Sequence, residues 1–461
     1  MKYKRISLLL IAHSILFIVL LFCAPSEPNT VFTICSLFFY LFQIISLSKH
    51  VKKQNNNYFE FNMMFFIMLT LCTYIVPLFY VLRLEDDFYT TIVYKTTYIN
   101  PALLLNSIAV EFYLLGYIKG HRNASPNPGI DEPFIISNIK VLNKICKYIS
   151  LLSTLLLLSV ISAAASESPD IKGPLVTIMV ISIILPIIVA GYSNKYYNDS
   201  VFGFIYRNKI ILLCAFTIFL RMIMLGDRLT PLSIIFSIAF VYSRFIKPIG
   251  VKTLIWGVFA GAIFMFLISF TRHMFMYSNS ASDMISSFEV GSEEAIATDQ
   301  KTVLFQDVIP INLDLLIGME YVNQKGYYKP MRFIVEALAP IPFIPSFLKQ
   351  NFFGGYTSTA VELTRINQKM SITAGNSGLG NHIVSDIYMS WGILGVILVF
   401  FVWGRVIGNA DARSNISFTS CLIYSSMMSY AIYFPRSTID TNFRDIAYMI
   451  LVFYIIKKAI K

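Results

Sequence analysis

The sequence contains little that could bind a metal or form a structural cross-link. It has only six cysteines and five histidines, and no group of them has the spacing of a metal site. None of the cysteines falls between residues 272 and 386, the longest polar stretch of the chain. We therefore expect no metal, no cofactor and no disulfide. No internal repeat is strong enough to indicate an inverted-repeat transporter.

Polar residues are too sparse for a water-soluble domain. Hydrophobic residues make up 56% of the chain, charged residues make up 14%, and the mean hydropathy is +0.65. The apolar runs are long and show no alternating pattern, which excludes a soluble α/β fold. A membrane helix needs about 20 mainly apolar residues. We predict an all-α polytopic membrane protein with about twelve transmembrane helices, at roughly 6–23, 31–48, 61–82, 98–118, 148–165, 175–192, 210–225, 230–244, 254–271, 387–403, 417–433 and 443–456.

The predicted helices fall into two groups that one long insert separates. Residues 1–271 hold the first nine helices, residues 272–386 form the insert, and residues 387–461 hold the last three. Lys and Arg stay preferentially on the cytoplasmic side of a membrane. With the N-terminus inside, most of the 37 basic residues fall on that side. Both termini are therefore predicted to be cytoplasmic, and the insert is predicted to be extracytoplasmic.

The net charge of +11 follows from this topology and does not indicate a nucleic-acid partner. The insert itself carries more acidic than basic residues, so it would not attract a polyanion. The first apolar segment lacks a small-residue cleavage site after its core, so we expect this segment to be retained as a membrane helix.

The insert is predicted to contain two short helices followed by irregular chain. Apolar residues recur at helical spacing within 312–322, which indicates an amphipathic helix. A second helix is expected to begin near Pro330. Three prolines between 340 and 345 forbid regular helix there, and 350–381 is rich in glycine and predicted to be irregular. Helices on the membrane surface and a mobile loop would form a lid over an outward-facing cavity; the alternative is a folded cap without chemistry.

Five arginines are expected at or near the outer face. They are Arg221 and Arg228 around the end of the seventh helix, Arg272 at the end of the ninth, and Arg436 and Arg444 around the last outer turn. A guanidinium binds two phosphate oxygens at once and stays charged. Several of them at the outer leaflet therefore indicate a lipid-linked pyrophosphate. Arg228 is the strongest candidate, because a tight loop leaves it little room to reach the membrane surface.

These arginines also have structural interpretations. Arg272 could be an anchor whose guanidinium reaches the membrane surface. The two arginines around the last outer turn each lie four residues from Asp440 and would form a ladder with it if the segment is helical. In that case they could simply neutralise the aspartate. Arg221 could pair with Glu111 of the fourth helix, which would leave both of them structural.

A second group of polar residues closes the insert. His382 and Asp386 are four residues apart and would share one helix face just above the tenth span. Either side chain could accept the proton of a sugar hydroxyl as it attacks, and Tyr388 could contact the substrate. The alternative is an interfacial histidine beside an aromatic belt of Tyr388 and Trp391.

These motifs resemble those of the Wzy-type O-antigen polymerases and the related O-antigen ligases, which are polytopic inner-membrane glycosyltransferases with a large outer loop. The resemblance covers about residues 210–400. It rests on Leu225-Gly226-Asp227-Arg228, on Ala339-Pro340-Ile341-Pro342, on Gly380-Asn381-His382 with Ser385-Asp386-Ile387-Tyr388, and on Trp391-Gly392-Ile393-Leu394-Gly395. Many of the polymerases carry Glu where this chain has Asp386, which shortens the reach of a base there, whereas His382 resembles the ligases.

The resemblance implies an enzyme of the bacterial inner membrane that moves a growing glycan from undecaprenyl pyrophosphate onto a lipid-linked repeat unit at the periplasmic face. No nucleotide sugar or metal would be needed, and a chain-length regulator and a flippase are implied partners. Arg228 and Arg272 would act in catalysis by neutralising the leaving pyrophosphate, which Arg221, Arg436 and Arg444 would help to bind. An O-antigen ligase, a flippase or other transporter, and an outer-leaflet scaffold protein stay open as alternatives.

Overall fold

The computed structural model describes residues 2–26, 29–54, 57–81, 98–129, 131–163, 172–224, 227, 229–261, 263, 309–328, 335, 338, 341, 344–351, 358–369 and 381–460. Over these residues the regular secondary structure is entirely helical, which confirms the predicted all-α class. The helices are α1 Lys2–Phe22, α2 Thr30–Gln54, α3 Phe61–Val81, α4 Ile99–Arg122, α5 Glu132–Ala163, α6 Lys172–Tyr197, α7 Val201–Arg207, α8 Lys209–Met224, α9 Leu229–Phe245, α10 Val251–Gly261, α11 Ile309–Lys325, α12 Ile344–Asn351, α13 Thr359–Lys369, α14 Ile383–Arg413, α15 Phe418–Ser429 and α16 Ile439–Ile460, with a 3-10 turn at Phe434–Arg436.

Each of the twelve predicted spans overlaps one of these helices, although the ninth is described only up to residue 263. Within the described ranges, four helical segments are long and apolar enough to cross a membrane by themselves. These are Ile99–Arg122, Glu132–Ser159, Thr177–Tyr197 and Ile383–Arg413. Helices α7 and α8 meet at a bend of 81° and would make a fifth if they form one broken span. The described part of the chain is therefore all-helical, with four or five candidate membrane spans and several shorter apolar helices, which is typical of a membrane protein.

Stripes of apolar side chains cover the outside of the bundle. On α14, exposed residues recur every four positions, at Leu394, Leu398, Val402 and Val406. On α5 they lie at Leu151, Leu152, Leu155 and Leu156. Contiguous apolar surface of this kind is unfavourable in water and is the expected surface of a protein in lipid.

Helix α14 packs closely along α4. The contact is made by glycines spaced by four on both helices, Gly116 and Gly120 on α4 and Gly404 and Gly408 on α14. A Cβ atom on Gly116 would collide with the carbonyl oxygen of Phe401, and one on Gly404 with that of Tyr113. Small residues at this spacing allow two membrane helices to approach backbone to backbone. The crossing therefore fixes α14, the helix that carries the candidate site, against the core of the bundle.

Helix α14 is broken at Gly392, whose φ of 65° and ψ of −159° are not helical. The break releases the carbonyl of Met389 from the helical ladder, since in a continuous helix it would accept from the amide four residues later. Instead it accepts a hydrogen bond from the Tyr328 amide at 2.7 Å. Tyr328 follows α11, so this bond joins the end of a helix from the insert to the broken span.

Helix α11 confirms that 312–322 is helical but not that it lies on the membrane surface. All residues from Asn312 to Met319 are buried, and α11 packs against α3 and α14. The Asn312 side-chain amide donates to the carbonyl of Cys72 at 2.7 Å, and the Ser385 hydroxyl donates to the carbonyl of Asp314 at 2.8 Å. The prediction that this helix lies on the membrane surface was wrong, because the two hydrogen bonds hold it inside the bundle.

The predicted irregular segment 350–381 contains helix α13, so the prediction was wrong for residues 359–369. The hydroxyl of Ser358 accepts a hydrogen bond from the Val361 amide at 3.4 Å and caps this helix at its start. The second helix expected near Pro330 and the proline run at 340–345 lie mostly outside the described residues.

Two sets of hydrogen bonds and ion pairs join segments that the sequence analysis assigns to the same side of the membrane. One set joins loops that are predicted to be cytoplasmic and includes Arg244 with Asp411 at 3.4 Å and Lys195 with Glu132 at 3.0 Å. The other set joins segments that are predicted to be outside, such as Asn323 with Tyr98 at 2.8 Å. Loops that the distribution of Lys and Arg assigns to the same side thus meet in the structure.

Candidate functional site

The start of α14 lies in a buried polar cluster that four segments build. We call it the outer polar cluster and define it as Thr73 of α3, Thr359 of α13, Asn381 to Asp386, and the backbone of residues 436–439. Helix α14 carries two of the predicted site residues into it. The glycine crossing with α4 holds the rest of that helix in place.

His382 is the residue before the first turn of α14 and has extended backbone, with φ −97° and ψ 122°. Its Nδ1 accepts a hydrogen bond from the Val384 amide at 3.3 Å, and its Nε2 lies 3.0 Å from the hydroxyl oxygen of Thr73. Because Nδ1 accepts, the neutral ring carries its proton on Nε2 and donates it to Thr73. Burial lowers the pKa of His382 to about 3. The predicted exposed base above the span is therefore a buried, neutral helix cap.

Asp386 has no solvent exposure, and both of its carboxyl oxygens accept hydrogen bonds. Oδ1 accepts from the hydroxyl of Thr359 and from the side-chain amide of Asn381, the latter at 3.1 Å. Oδ2 accepts from the Ile439 amide at 3.1 Å. Ile439 begins α16, where the helix dipole favours a negative charge. This carboxylate therefore ties α13, α14 and α16 together.

Arg436 lies in the 3-10 turn beside the outer polar cluster. Its carbonyl oxygen accepts a hydrogen bond from the Asn381 amide at 3.3 Å. Its side chain is half-buried, and the guanidinium carbon lies 5.7 Å from the centre of the Tyr433 ring. The backbone of this arginine is thus held on both sides, by Asn381 directly and by Asp386 through Ile439.

The condition for the predicted ladder around Asp440, one helix that contains all three residues, is not met. Helix α16 begins at Ile439, so Arg436 belongs to a separate turn and cannot share a helix face with Arg444. The Arg444 Nε lies 3.3 Å from Oδ1 of Asp445, and the Asp440 side chain is outside the described residues.

Tyr430 is buried at the end of α15, within electrostatic range of three charged residues, Asp227, Arg444 and Asp445. The side chain of Asp227 accepts a hydrogen bond from the Leu229 amide at 2.9 Å and so caps α9. The turn that contains the predicted Gly-Asp-Arg motif therefore lies within electrostatic range of the last outer turn.

The remaining predicted site residues are less well defined by the structure. Arg228 and Arg272 lie outside the described residues. Arg221 is half-buried on α8, and its predicted partner Glu111 is engaged elsewhere, by a hydrogen bond from Gln43 and by His13 at 3.8 Å. Tyr388 is half-buried two residues after Asp386 on α14.

The sequence analysis missed two members of the outer polar cluster, Thr73 and Thr359, and it gave Asn381 no role beyond its place in a motif. For Thr359 a signal exists, because Ser358-Thr359 followed by Glu362 is typical of a helix start. Asn381 stands directly before His382 but has no spacing of its own. Thr73 lies within an apolar run more than 300 residues away in the chain, and no local pattern indicates it.

The fold and this cluster define an all-α protein with four or five candidate membrane spans and a buried polar centre at one end of the bundle. Comparison with protein-family models, with curated proteins and with solved structures finds no match to the chain. The resemblance to the O-antigen polymerases therefore rests on the motifs alone.

Proposed function

We propose that this protein is an O-antigen polymerase of the Wzy type. In this proposal it has twelve spans and cytoplasmic termini in the bacterial inner membrane. It transfers a growing glycan from undecaprenyl pyrophosphate to a lipid-linked repeat unit at the periplasmic face. The observation that supports it is the position of Arg436, a half-buried cation whose backbone is held by the two motif residues Asn381 and Asp386.

The rigid attachment of Arg436 suits a role in phosphate binding. A cation that is already fixed where negative charge develops stabilises the transition state without reorganisation. The leaving pyrophosphate is such a charge. Arg444 and the turn before α9 lie close to the same end of the bundle. In this proposal Arg221, Arg228 and Arg272 complete the basic surface around the pyrophosphate, and Tyr388 contacts the sugar.

The proposal assigns His382 and Asp386 as positioning residues and not as the base. Both are fully buried and bonded, so neither meets a substrate hydroxyl in this arrangement. The acceptor hydroxyl forms the new glycosidic bond as the bond to the pyrophosphate oxygen breaks. Its proton passes to the departing pyrophosphate or to solvent. The charge on the leaving group then dominates the barrier, which gives the arginines the principal catalytic role.

A gene deletion distinguishes the polymerase from the ligase and the flippase. Surface polysaccharide of the deletion strain is separated on a gel and compared with that of the parent. For a polymerase we expect a single repeat unit attached to the core. Complete loss of repeat units would overturn the polymerase and favour the ligase or the flippase. Purified protein that extends a defined lipid-linked repeat without other enzymes would separate the polymerase from both.

The break in α14 favours a transporter of lipid-linked oligosaccharide as the second candidate. Interrupted helices frequently form substrate sites in transporters, and Gly392 interrupts the longest candidate span of the described chain. Proteoliposomes loaded with a lipid-linked repeat distinguish the two functions. A transporter would move the repeat between leaflets without lengthening it, whereas a polymerase would lengthen it.

A further inference from the structure

Two fully buried carboxyl groups of the bundle have opposite surroundings. Asp386 accepts hydrogen bonds on both oxygens, as described above. Glu111 of α4 accepts one, from the side-chain amide of Gln43 on α2, and no described residue donates a hydrogen bond to its Oε1. A buried carboxylate that lacks donors is costly, and the group takes up a proton instead. The two acids therefore differ in the number of hydrogen bonds that their oxygens accept.

Glu111 lies near the middle of the bundle. It is about 18 Å from the start of α4 and about 16 Å from its end, at about 1.5 Å per residue. His13 and Gln43 lie near the middle of α1 and α2 in the same way. Ionisable groups at this depth are rare because they are costly, and they mark functional sites by default.

His13 is the titratable group closest to the free oxygen of Glu111. Its Nδ1 lies 3.8 Å from Oε1, beyond hydrogen-bond distance but within reach of an ion pair. The imidazole is 26% exposed at the edge of the bundle and is surrounded by the rings of Phe17, Phe39 and Phe42. Histidine can carry or release a proton near neutral pH. A proton bound by this pair can therefore lie on Glu111 or on His13.

Other titratable groups on the neighbouring helices are engaged elsewhere. On α2, the Tyr40 hydroxyl donates to the carbonyl of Phe66, and on α3, Tyr74 pairs with Ser107. Towards the inner end, the Tyr117 hydroxyl of α4 donates to Asp411 of α14, about 9 Å along the helix from Glu111. Arg405 of α14 lies further along, beside Gly120. Helix α11 meets α4 at the opposite end, where Asn323 donates to Tyr98.

We propose that His13 and Glu111 form a proton-binding site in the middle of the membrane bundle. Glu111 is the group that holds the proton, and the imidazole of His13 is the group that can accept it from the acid. The site joins α1 and α2 to α4, so binding or release of a proton changes the contact between these helices. The residues of the outer polar cluster are not part of this site, and the proposal does not rest on glycan transfer.

A carbodiimide that dissolves in the membrane tests the proposal, because such reagents attack protonated carboxyl groups in apolar surroundings. The purified full-length protein in lipid nanodiscs is treated with dicyclohexylcarbodiimide between pH 6 and pH 9, and adducts are mapped by mass spectrometry. We expect an adduct on Glu111 at pH 6 that decreases as the pH rises. Asp386, which is equally buried but fully bonded, should stay unmodified at every pH and serves as the internal control.

A His13→Gln variant tests the role of the imidazole. Glutamine keeps a polar side chain but cannot carry a charge, so labelling of Glu111 should persist to higher pH than in the parent. An unmodified Glu111 at every pH, or equal labelling from pH 6 to pH 9, would overturn the site. An unchanged profile in His13→Gln would overturn the part assigned to His13. If the variant does not fold, the labelling of the parent protein across the pH range still tests whether Glu111 binds a proton.

Discussion

The hydroxyl of Tyr327 stands 2.6 Å from the position that a Cβ atom on Gly392 would occupy. Gly392 also has a φ of 65°, which side chains other than glycine rarely adopt. Space and backbone conformation therefore both require glycine here. Together with the hydrogen bond from Tyr328 to Met389, this contact attaches the end of α11 to the break in α14. The insert and the helix that follows it form one structural unit.

Replacing Gly392 by alanine should destabilise the protein by about 1–3 kcal/mol, because the new methyl group strains the backbone and displaces Tyr327. The measurement is thermal unfolding of the purified protein in detergent. Gly257→Ala in α10 is the matched control, since no described residue lies within 4 Å of its Cβ position. There alanine should be neutral or stabilise by up to about 1 kcal/mol. Equal effects of the two substitutions would contradict the assigned constraint at Gly392.

Gly404→Ala should be more severe. The Cβ would collide with the carbonyl oxygen of Tyr113, and neither helix backbone can yield without moving α4 away from α14. We expect a large loss of folded protein in membranes, measured as monodisperse protein after detergent extraction. Gly261→Ala, at a helix position with open space around it, should give the parental yield. A parental yield for Gly404→Ala would mean that the two helices do not meet backbone to backbone.

The apolar runs predict where helices occur, but polar partners decide where a helix lies. Helix α11 was predicted from the spacing of its apolar residues, yet its burial depends on a bond from Asn312 to the carbonyl of Cys72, 240 residues away. No local pattern contains that bond. Similarly, the spacing of His382 and Asp386 suggested a shared helix face. The hydrogen bond from the Val384 amide instead makes the histidine the cap of the helix. The spacing alone cannot distinguish a capping residue from a residue on the helix face.

Acid should destabilise the protein through His382. The unfolded histidine binds a proton below its usual pKa of about 6.5. The folded protein excludes that proton until the pH approaches about 3. Stability from this residue is therefore complete above about pH 6.5 and falls as the pH decreases, by about 2 kcal/mol at pH 5. His382→Asn keeps a capping side chain but does not titrate. Unfolding curves of the two proteins between pH 7 and pH 5 should diverge by that amount, and parallel curves would contradict the buried neutral imidazole.

The two sets of contacts predict which loops react together with an impermeant thiol reagent. Single cysteines at Gln324, after α11, and at Asn123, after α4, both lie at exposed positions. We introduce them into a chain in which the exposed Cys23 and Cys35 are serine. In cells with a permeabilised outer membrane, the cysteine at 324 should react and that at 123 should react only after lysis. The reverse pattern would mean that the topology is inverted. Reaction at both positions before lysis would contradict the prediction that the two loops lie on opposite sides of the membrane.

Arg436→Lys should abolish most long-chain glycan at an unchanged protein level. Lysine keeps the positive charge but cannot bind two phosphate oxygens in one plane. Loss of a charge-assisted hydrogen bond worth about 1.5–3 kcal/mol corresponds to a decrease of about tenfold to a hundredfold in the rate of transfer. The measurement is single-turnover extension of a defined lipid-linked repeat by the purified protein.

Arg365→Lys is the matched control for this substitution. Arg365 lies on α13, beside the same polar cluster, but its side chain is 58% exposed and faces Glu362 at 3.9 Å. An exposed pair of this kind contributes little to stability, and in the proposal Arg365 does not contact the pyrophosphate. Its substitution should leave the transfer rate unchanged. If Arg436→Lys also transfers at the parental rate, the guanidinium does not bind the leaving group, and the backbone of this turn, held by Asn381 and Asp386, is then structural.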